Sequence, residues 1–232
     1  FHLDGLRFDS IHSLADESAK HFLEELTEGL HGATRGQHFH LIAENAENQP
    51  LWLKRDTSGH PLHFTAQWND DHHHALHATG TGEGNGYYAD FAGRTDRLGR
   101  ALAEGFAFQG ETPSAQDHAK GGPSGFLPPA AFVSYIQNHD QIGNRPIGER
   151  IAALAPVKVA RMMAALYLLA PQVPMLFMGE EWGSKQPFLF FSDLSKEHEK
   201  RTRDLHRNEA KNAPPVADEG AVPDPFDEAT FL

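Results

Sequence analysis

Three acidic residues stand where short apolar segments end, which is an unfavourable place for a charge that has no function. They are Asp9 after residues 3–8, Glu44 after residues 38–43 and Asp140 after residues 131–139. Burial beside an apolar strand disfavours the ionised form of a carboxyl group. In a (β/α) barrel, however, the carboxyl ends of the strands carry the catalytic groups. The sequence therefore predicts one site built from these three side chains.

A set of carboxylates with an arginine and a histidine beside it is typical of glycoside hydrolysis. A retaining enzyme needs a nucleophile and an acid/base about 5 Å apart, flanking an oxocarbenium-like transition state. Arg7 lies two residues before Asp9 and projects from the same face of a strand, so its charge favours an ionised Asp9. The alternative is an ordinary buried arginine–aspartate pair with two helix-capping acids. Three such acids in one chain favour the catalytic interpretation.

The composition narrows the class of protein. The 232 residues carry a net charge of −12 and 39% hydrophobic residues. These values predict a folded chain and argue against nucleic acid or a membrane as a partner. The chain has no cysteine, which excludes disulfides and thiolate metal sites, suits a reducing compartment and leads us to expect a cytoplasmic protein. No apolar stretch reaches the length of a membrane span.

Strand and helix patterns alternate along the chain. The expected strands are residues 3–9, 38–43, 61–68, 131–137 and 173–178. A polar loop is expected over residues 69–94, and the last strand is apolar enough to be buried on both faces. The alternation is typical of βαβ units around a parallel sheet. Polar groups at successive strand ends favour a barrel over a doubly wound sheet.

Four segments resemble signature segments of the alpha-amylase clan of glycoside hydrolases, and they occur in the same order. They are Asp4-Gly5-Leu6-Arg7-Phe8-Asp9, Ile42-Ala43-Glu44-Asn45, Gln137-Asn138-His139-Asp140 and Leu176-Phe177-Met178-Gly179-Glu180-Glu181. In that clan they end the fourth, fifth, seventh and eighth barrel strands. The resemblance implies an α/β fold, a partial (β/α)8 TIM barrel with strands four to eight and their helices. Residues 1–193 would form the C-terminal part of this barrel, and residues 194–232 a charged helix and a proline-rich tail that lead out of it.

Further segments are similar to the malto-oligosyltrehalose trehalohydrolase subfamily of that clan. They are Trp68-Asn69-Asp70-Asp71-His72-His73-His74-Ala75-Leu76-His77, Gly86-Tyr87-Tyr88-Ala89-Asp90-Phe91, Gln137-Asn138-His139-Asp140-Gln141-Ile142-Gly143-Asn144-Arg145 and Val222-Pro223-Asp224-Pro225. This resemblance implies a retaining hydrolase that cleaves the alpha-1,4 bond next to the trehalose end of malto-oligosyl trehalose. The alternatives are another clan member, such as a glucan branching enzyme or a maltogenic amylase, and an inactive barrel fragment that binds glucan.

The resemblance also implies roles for individual residues. Asp9 would be the nucleophile, Glu44 the acid/base and Asp140 the stabiliser of the transition state. The expected substrate contacts are Arg7, His12, Asp70, His139, Gln141 and Arg145. The resemblance implies no organic cofactor, none of these residues is expected to bind a metal, and the segments that would hold a structural calcium lie outside this sequence. The expected partner is malto-oligosyl trehalose or a related alpha-glucan.

Two further patterns have simpler interpretations. Adjacent residues on one element point apart, so the run His72-His73-His74 predicts a polar loop at the substrate cleft rather than a metal site. The glycines of residues 80–86 depart from G-x-G-x-x-G at Tyr87 and predict a flexible loop, not a nucleotide-binding turn.

One clan segment has no counterpart in this sequence, the Asp-x-x-x-Asn-His pattern of the third strand. We therefore expect the chain to be a barrel fragment. An open sheet leaves backbone groups unpaired at its edges, so residues 1–232 alone are expected to lack independent activity.

Overall fold

A five-stranded parallel sheet forms the centre of the molecule. The computed structural model describes residues 2–212 and 223–231. The strands are β1 (Gly5–Phe8), β2 (His40–Ala43), β3 (Ala66–Trp68), β4 (Phe132–Ser134) and β5 (Val173–Pro174). They lie side by side in chain order, and each neighbouring pair is parallel. This is the arrangement of a (β/α)8 barrel over part of its circumference, as expected.

Helices connect the strands and cover the sheet. In the described part of the chain they are α1 (Phe22–Ala33), α2 (Asp70–Thr81), α3 (Thr95–Glu104), α4 (His139–Gly143), α5 (Ile151–Leu154), α6 (Val157–Leu168) and α7 (Lys196–Asn212). Short 3-10 turns occupy Ile11–Ser13, Pro50–Leu53, Gly86–Tyr88, Pro129–Ala131, Glu180–Trp182 and Glu228–Thr230. Residues 213–222 of the predicted proline-rich tail lie outside the described residues. No helix in the described ranges is long and apolar enough to cross a membrane.

Two apolar clusters hold these helices in place. The first joins α2, α3 and α6 through Leu76, Leu98, Met163 and Tyr167. The second joins α1 to β2 and β4 through Leu23, Leu41 and Phe132, with Phe64 and Phe106 from the loops. Full burial of one such side chain stabilises a fold by about 1.5–3 kcal/mol. The clusters therefore fix the strands whose ends carry the acidic residues.

A close approach between α3 and β4 depends on one glycine. Gly105 follows α3 with φ of +95°, and a Cβ built on it would lie 2.1 Å from the ring of Phe132. Any side chain at this position would strain the backbone and collide with β4. The approach is further held by the amide of Asn69, which donates to the carbonyl oxygen of Gly105 at 2.7 Å.

The polar loop expected over residues 69–94 is wrong, because its first half is the helix α2. The side chain of Asn69 accepts a hydrogen bond from the amide of His72 at 3.2 Å and caps this helix. Asp70 and Asp71 occupy its first turn, where negative charge is favourable, and Gly82 ends it with φ of 78°. His72 and His73 are buried on α2, so the histidine run is not a loop at a cleft.

The strand expected over residues 173–178 is also wrong in length and in burial. β5 holds only Val173 and Pro174, and the side chains that follow are open to solvent, Leu176 at 51% and Met178 at 64% exposed. Proline has no amide hydrogen to donate and is confined to edge strands. Within the described residues β5 pairs with β4 alone and β1 with β2 alone, so both outer strands keep one edge without a strand partner. The third strand is shorter than expected as well, since it begins at Ala66.

Candidate active site

The register of β1 and β2 brings the first two acids together. Phe8 pairs with Ala43 in this register, and the amide of Glu44 donates to the carbonyl oxygen of Phe8 at 2.9 Å. Asp9 and Glu44 are therefore the next residues on two neighbouring strands, which lie about 4.8 Å apart in a sheet. Ser10 then turns the chain with φ of 48°, and its amide donates to Glu44 Oε2 at 3.1 Å.

Arg7 connects the two carboxyl groups directly. One terminal guanidinium nitrogen lies 2.8 Å from Asp9 Oδ1, and the other lies 2.7 Å from Glu44 Oε2. The side chain of Asp9 is 75% exposed, whereas that of Glu44 is only 20% exposed. One cation thus serves two acids in different surroundings, as the spacing of Arg7 and Asp9 predicts for the first of them.

The two carboxyl groups differ in protonation. A hydrogen bond from the Glu44 carboxyl is the main cause that lowers the pKa of Asp9, and Arg7 lowers it further. Burial raises the pKa of Glu44 to about 7, and its hydrogen bond to Asp9 adds to this rise, while the amide of Ser10 and the charge of Arg7 oppose it. At neutral pH the pair therefore holds an ionised Asp9 beside a Glu44 that can keep its proton.

Asp140 reaches the same region from α4. Asn138 caps this helix, since its Oδ1 accepts from the amides of Asp140 at 2.9 Å and Gln141 at 3.0 Å. The carboxylate of Asp140 lies 3.4 Å from the imidazole of His139. The charge of His139 also acts on Asp9. The third acid thus shares the electrostatic environment of the other two, at a half-exposed position.

An aromatic wall lines this group of acids. Trp68, at the end of β3, lies with its ring 4.1 Å below the guanidinium carbon of Arg7. The rings of Tyr135 and His139 contact it at centroid distances of 5.8 and 5.9 Å. The hydroxyl of Tyr135 donates to the carboxylate of Asp70, whose pKa is raised by burial. Asp70 thus has a hydrogen-bond partner within the protein.

The arrangement suits acid–base chemistry at a bond between the two carboxyl groups. An ionised, exposed carboxylate can act as nucleophile, and a protonated neighbour can donate to a leaving group. In the described part of the chain, no group of three or more histidine, aspartate and glutamate side chains is placed to hold a metal ion.

Curated relatives match most or all of this chain. A malto-oligosyltrehalose trehalohydrolase of Saccharolobus solfataricus is 41% identical over 196 residues, which are 84% of this chain and 34% of that protein. One of Mycobacterium tuberculosis is 40% identical over an alignment of 237 positions, which covers the whole of this chain and 40% of that protein. The chain is homologous to part of the malto-oligosyltrehalose trehalohydrolases. It spans about two fifths of the length of these curated relatives, and no protein-family model matches it.

A solved structure supports the same assignment at the level of the fold. A Salmonella typhimurium protein provisionally described as an alpha amylase superposes with a TM-score of 0.91 at 43% identity. The superposition covers 99% of this chain and 39% of that protein. The expectation of a partial alpha-amylase barrel is therefore confirmed.

Three of the expected substrate contacts, His12, Gln141 and Arg145, have different surroundings in the structure. His12 is exposed just beyond Asp9, and its Nδ1 accepts from the amide of Ala46 at 3.2 Å. Gln141 lies on α4 with a buried Oε1 that has no hydrogen-bond partner among the described residues. Contact of these residues and of Asp70 with a substrate remains a prediction.

Arg145, the third of these residues, has internal partners. Its side chain is 4% exposed, and it binds both carboxylate oxygens of Glu83, at 2.9 and 3.0 Å, and Glu149 at 3.2 Å. The imidazole of His77 lies 2.6 Å from Glu83. Burial opposes the ionisation of Glu83, but hydrogen bonds from His77 and Arg145 outweigh it and lower the pKa of Glu83 to about 2. This network ties α2 to the segment that follows Asp140.

Sequence reasoning did not single out Trp68, Tyr135 or Glu83 as site residues. Trp68 stood only within a longer matching segment, although it follows an apolar strand as the acids do. Tyr135 looked like a strand residue, because nothing in the sequence shows that its hydroxyl meets Asp70. Glu83 stood in a stretch expected to be a loop, so its pairing with Arg145 carried no local signal.

The internal partners of Arg145 predict a large effect on stability. Removing one member of a buried ion pair leaves the other charge uncompensated, so Arg145→Gln should lower the free energy of unfolding of the full-length protein by about 3–5 kcal/mol. Arg94→Gln is the matched control, because it breaks an exposed pair with Asp96 whose side chains are 51% and 65% exposed, and it should leave the denaturation midpoint unchanged. If Arg145→Gln instead raises KM and leaves unfolding unchanged, Arg145 is a substrate contact.

Proposed function

We propose that the protein containing this chain is a retaining glycoside hydrolase that releases trehalose from malto-oligosyl trehalose. The observation that carries the proposal is the carboxyl pair on one guanidinium, with the pKa of Asp9 lowered and that of Glu44 raised to about 7. Two carboxyls about 5 Å apart are the arrangement of a retaining enzyme. The substrate is proposed because the relatives carry the name malto-oligosyltrehalose trehalohydrolase.

The proposed reaction has two steps. Asp9 attacks the anomeric carbon and forms a glycosyl ester, while Glu44 gives its proton to the glycosidic oxygen, so that the trehalose end departs as a neutral alcohol. Water then loses a proton to Glu44 and adds to the anomeric carbon, which frees Asp9 and returns the acid to its first state. Asp140 is proposed to stabilise both transition states through the hydroxyl groups of the sugar. Arg7 holds the two carboxyl groups in register throughout.

The division of the chain and its location are proposals as well. We propose a barrel portion over residues 1–193 and an extension over residues 194–232. The extension has its own contact between α7 and the tail, where Arg203 Nε lies 2.8 Å from Asp224 Oδ2. A cytoplasmic location is proposed because the chain lacks cysteine.

A broader alpha-glucan hydrolase is the second candidate, and the Salmonella structure described as an alpha amylase favours it. The product distinguishes the two. The full-length protein should convert maltotriosyl trehalose to trehalose and maltotriose, measured by anion-exchange chromatography. Maltopentaose, which has five glucose units but no trehalose end, is the control and should react at least about tenfold more slowly. Equal rates on both substrates would favour the broader hydrolase, and branched products would favour a branching enzyme.

The roles of the two carboxyls predict different responses to substitution. Asp9→Asn should reduce turnover of the full-length protein by at least about a thousandfold, because an amide cannot form the glycosyl ester. Glu44→Gln should slow malto-oligosyl trehalose strongly and an alpha-maltosyl fluoride weakly, because fluoride departs without a proton. Glu28→Gln, on the exposed side of α1, is the control and should act on neither substrate. A Glu44→Gln variant that slows both substrates equally would show that Glu44 is not the acid.

The pKa values predict the pH profile. Glu44 must be protonated to donate, and its pKa of about 7 means that kcat/KM should fall tenfold per pH unit above neutrality. Asp9 must be ionised, and because its pKa is lowered, the acid limb should lie below about pH 4. Steady-state kinetics across pH 3–9 measures both limbs. An alkaline limb that persists in Glu44→Gln would assign it to another group.

A further inference from the structure

The guanidinium of Arg7 has one nitrogen that no hydrogen bond from the described residues holds. Its two terminal nitrogens bind Asp9 and Glu44, but its Nε is buried and has no partner there. A guanidinium has five N–H donors, so the Nε–H group of Arg7 is a donor that no acceptor among the described residues orients. A further close contact of the group is the face of Trp68, with the guanidinium carbon 4.1 Å from the ring centroid.

Trp68 is itself fixed by the sheet and by its aromatic neighbours. Ala43 pairs with Gln67, so Trp68 stands level with Glu44 on the neighbouring strand. Its ring contacts Tyr135 and His139 at 5.8 and 5.9 Å. The ring therefore contacts His139, which precedes Asp140, and Tyr135, which binds Asp70, and it cannot rotate without disturbing them.

We propose that Trp68 is a positioning residue, whose ring holds the Arg7 guanidinium between Asp9 and Glu44 so that one arginine serves both carboxyl groups. The proposal rests on the proposed function, since it concerns the same pair of acids. Stacking keeps the guanidinium plane in place while leaving its N–H groups free to bind the two carboxylates. Without the ring, Arg7 can follow the exposed Asp9 into solvent and leave Glu44.

A double-mutant cycle in the full-length protein tests this role. Trp68→Leu should lower kcat/KM by about 30-fold, mostly through kcat, because a small displacement of groups in the site has a large effect on rate. In an Arg7→Lys background the same substitution should cost less than about threefold, because a lysine ammonium presents no plane to stack. Trp68→Phe keeps an aromatic face and should retain kcat/KM within about fivefold. Trp182→Leu, which removes a tryptophan that is 73% exposed, is the matched control.

The pH profile separates positioning from simple packing. Burial raises the pKa of Glu44, Asp9 and Asp70 add to the rise, and the charge of Arg7, which Trp68 holds by stacking, opposes it. Loss of the guanidinium from Glu44 should move the alkaline limb of kcat/KM upward by about half a pH unit or more in Trp68→Leu, with no movement in Trp68→Phe. A void in the core would lower stability without moving this limb.

The outcomes distinguish this proposal from the proposed function. The cycle can be run on any alpha-glucan that the wild-type protein hydrolyses, so hydrolysis without trehalose release contradicts the substrate assignment alone. Equal losses for Trp68→Leu in the wild-type and the Arg7→Lys backgrounds, or an unmoved alkaline limb, would overturn the role of Trp68. A wild-type protein that hydrolyses no alpha-glucan would overturn both.

Discussion

A single cation shared by two carboxyl groups is the constraint on which the site depends. If Asp9 and Glu44 were both ionised and unpaired at neighbouring positions, their repulsion would push the strands' ends apart. Arg7 offsets one of the two charges, and the proton kept by Glu44 removes the other. The difference in exposure decides which acid keeps the proton, because only Glu44 is largely withdrawn from water. Charge balance and asymmetry thus come from the same three side chains.

The surrounding structure fixes the positions of the three carboxyl groups. Backbone pairing places Asp9 beside Glu44. Asp140 is instead placed by the capped helix α4 and by the ion pairs of Arg145, which follows this helix. The ion pair of Arg145 with Glu83 is part of this support, and its hydrogen bonds replace most of the contact with water. Polar groups buried this way gain specificity of position more than net stability. The acidic residues are therefore held in place partly by the sheet and partly by helix α4.

Much of the fold could be predicted from the sequence, and the failures have physical causes. The alternation of apolar strands and helices gave the parallel sheet, and the spacing of Arg7 and Asp9 gave their shared face. The helix α2 was missed because His72 and its neighbours look polar, while the signals that make it a helix are a cap at Asn69 and a stop at Gly82. The last strand is shorter than its composition predicts, because apolar composition does not show where pairing with β4 stops.

The pairing of the acids with other residues could be predicted only in part. The Arg7–Asp9 pair is local, so the period of a strand reveals it. The contacts of Arg7 with Glu44 and of Tyr135 with Asp70 join residues 37 and 65 positions apart, and no local pattern carries that information. They depend on strand order and register, which the structure supplies.

The parallel register of β1 and β2 bears on the stereochemistry of the proposed reaction. The spacing of neighbouring strands, set by backbone hydrogen bonds, places the backbones of Asp9 and Glu44 side by side, and Arg7 holds their two carboxyl groups together. In the proposed mechanism that short spacing lets Asp9 attack the sugar directly, with no water molecule between them, so that two successive displacements preserve the anomeric configuration. The loops beyond the strands can vary in sequence without changing the spacing of β1 and β2. Under the proposed mechanism, substitutions in the loops can therefore change substrate preference while the stereochemical outcome stays constant.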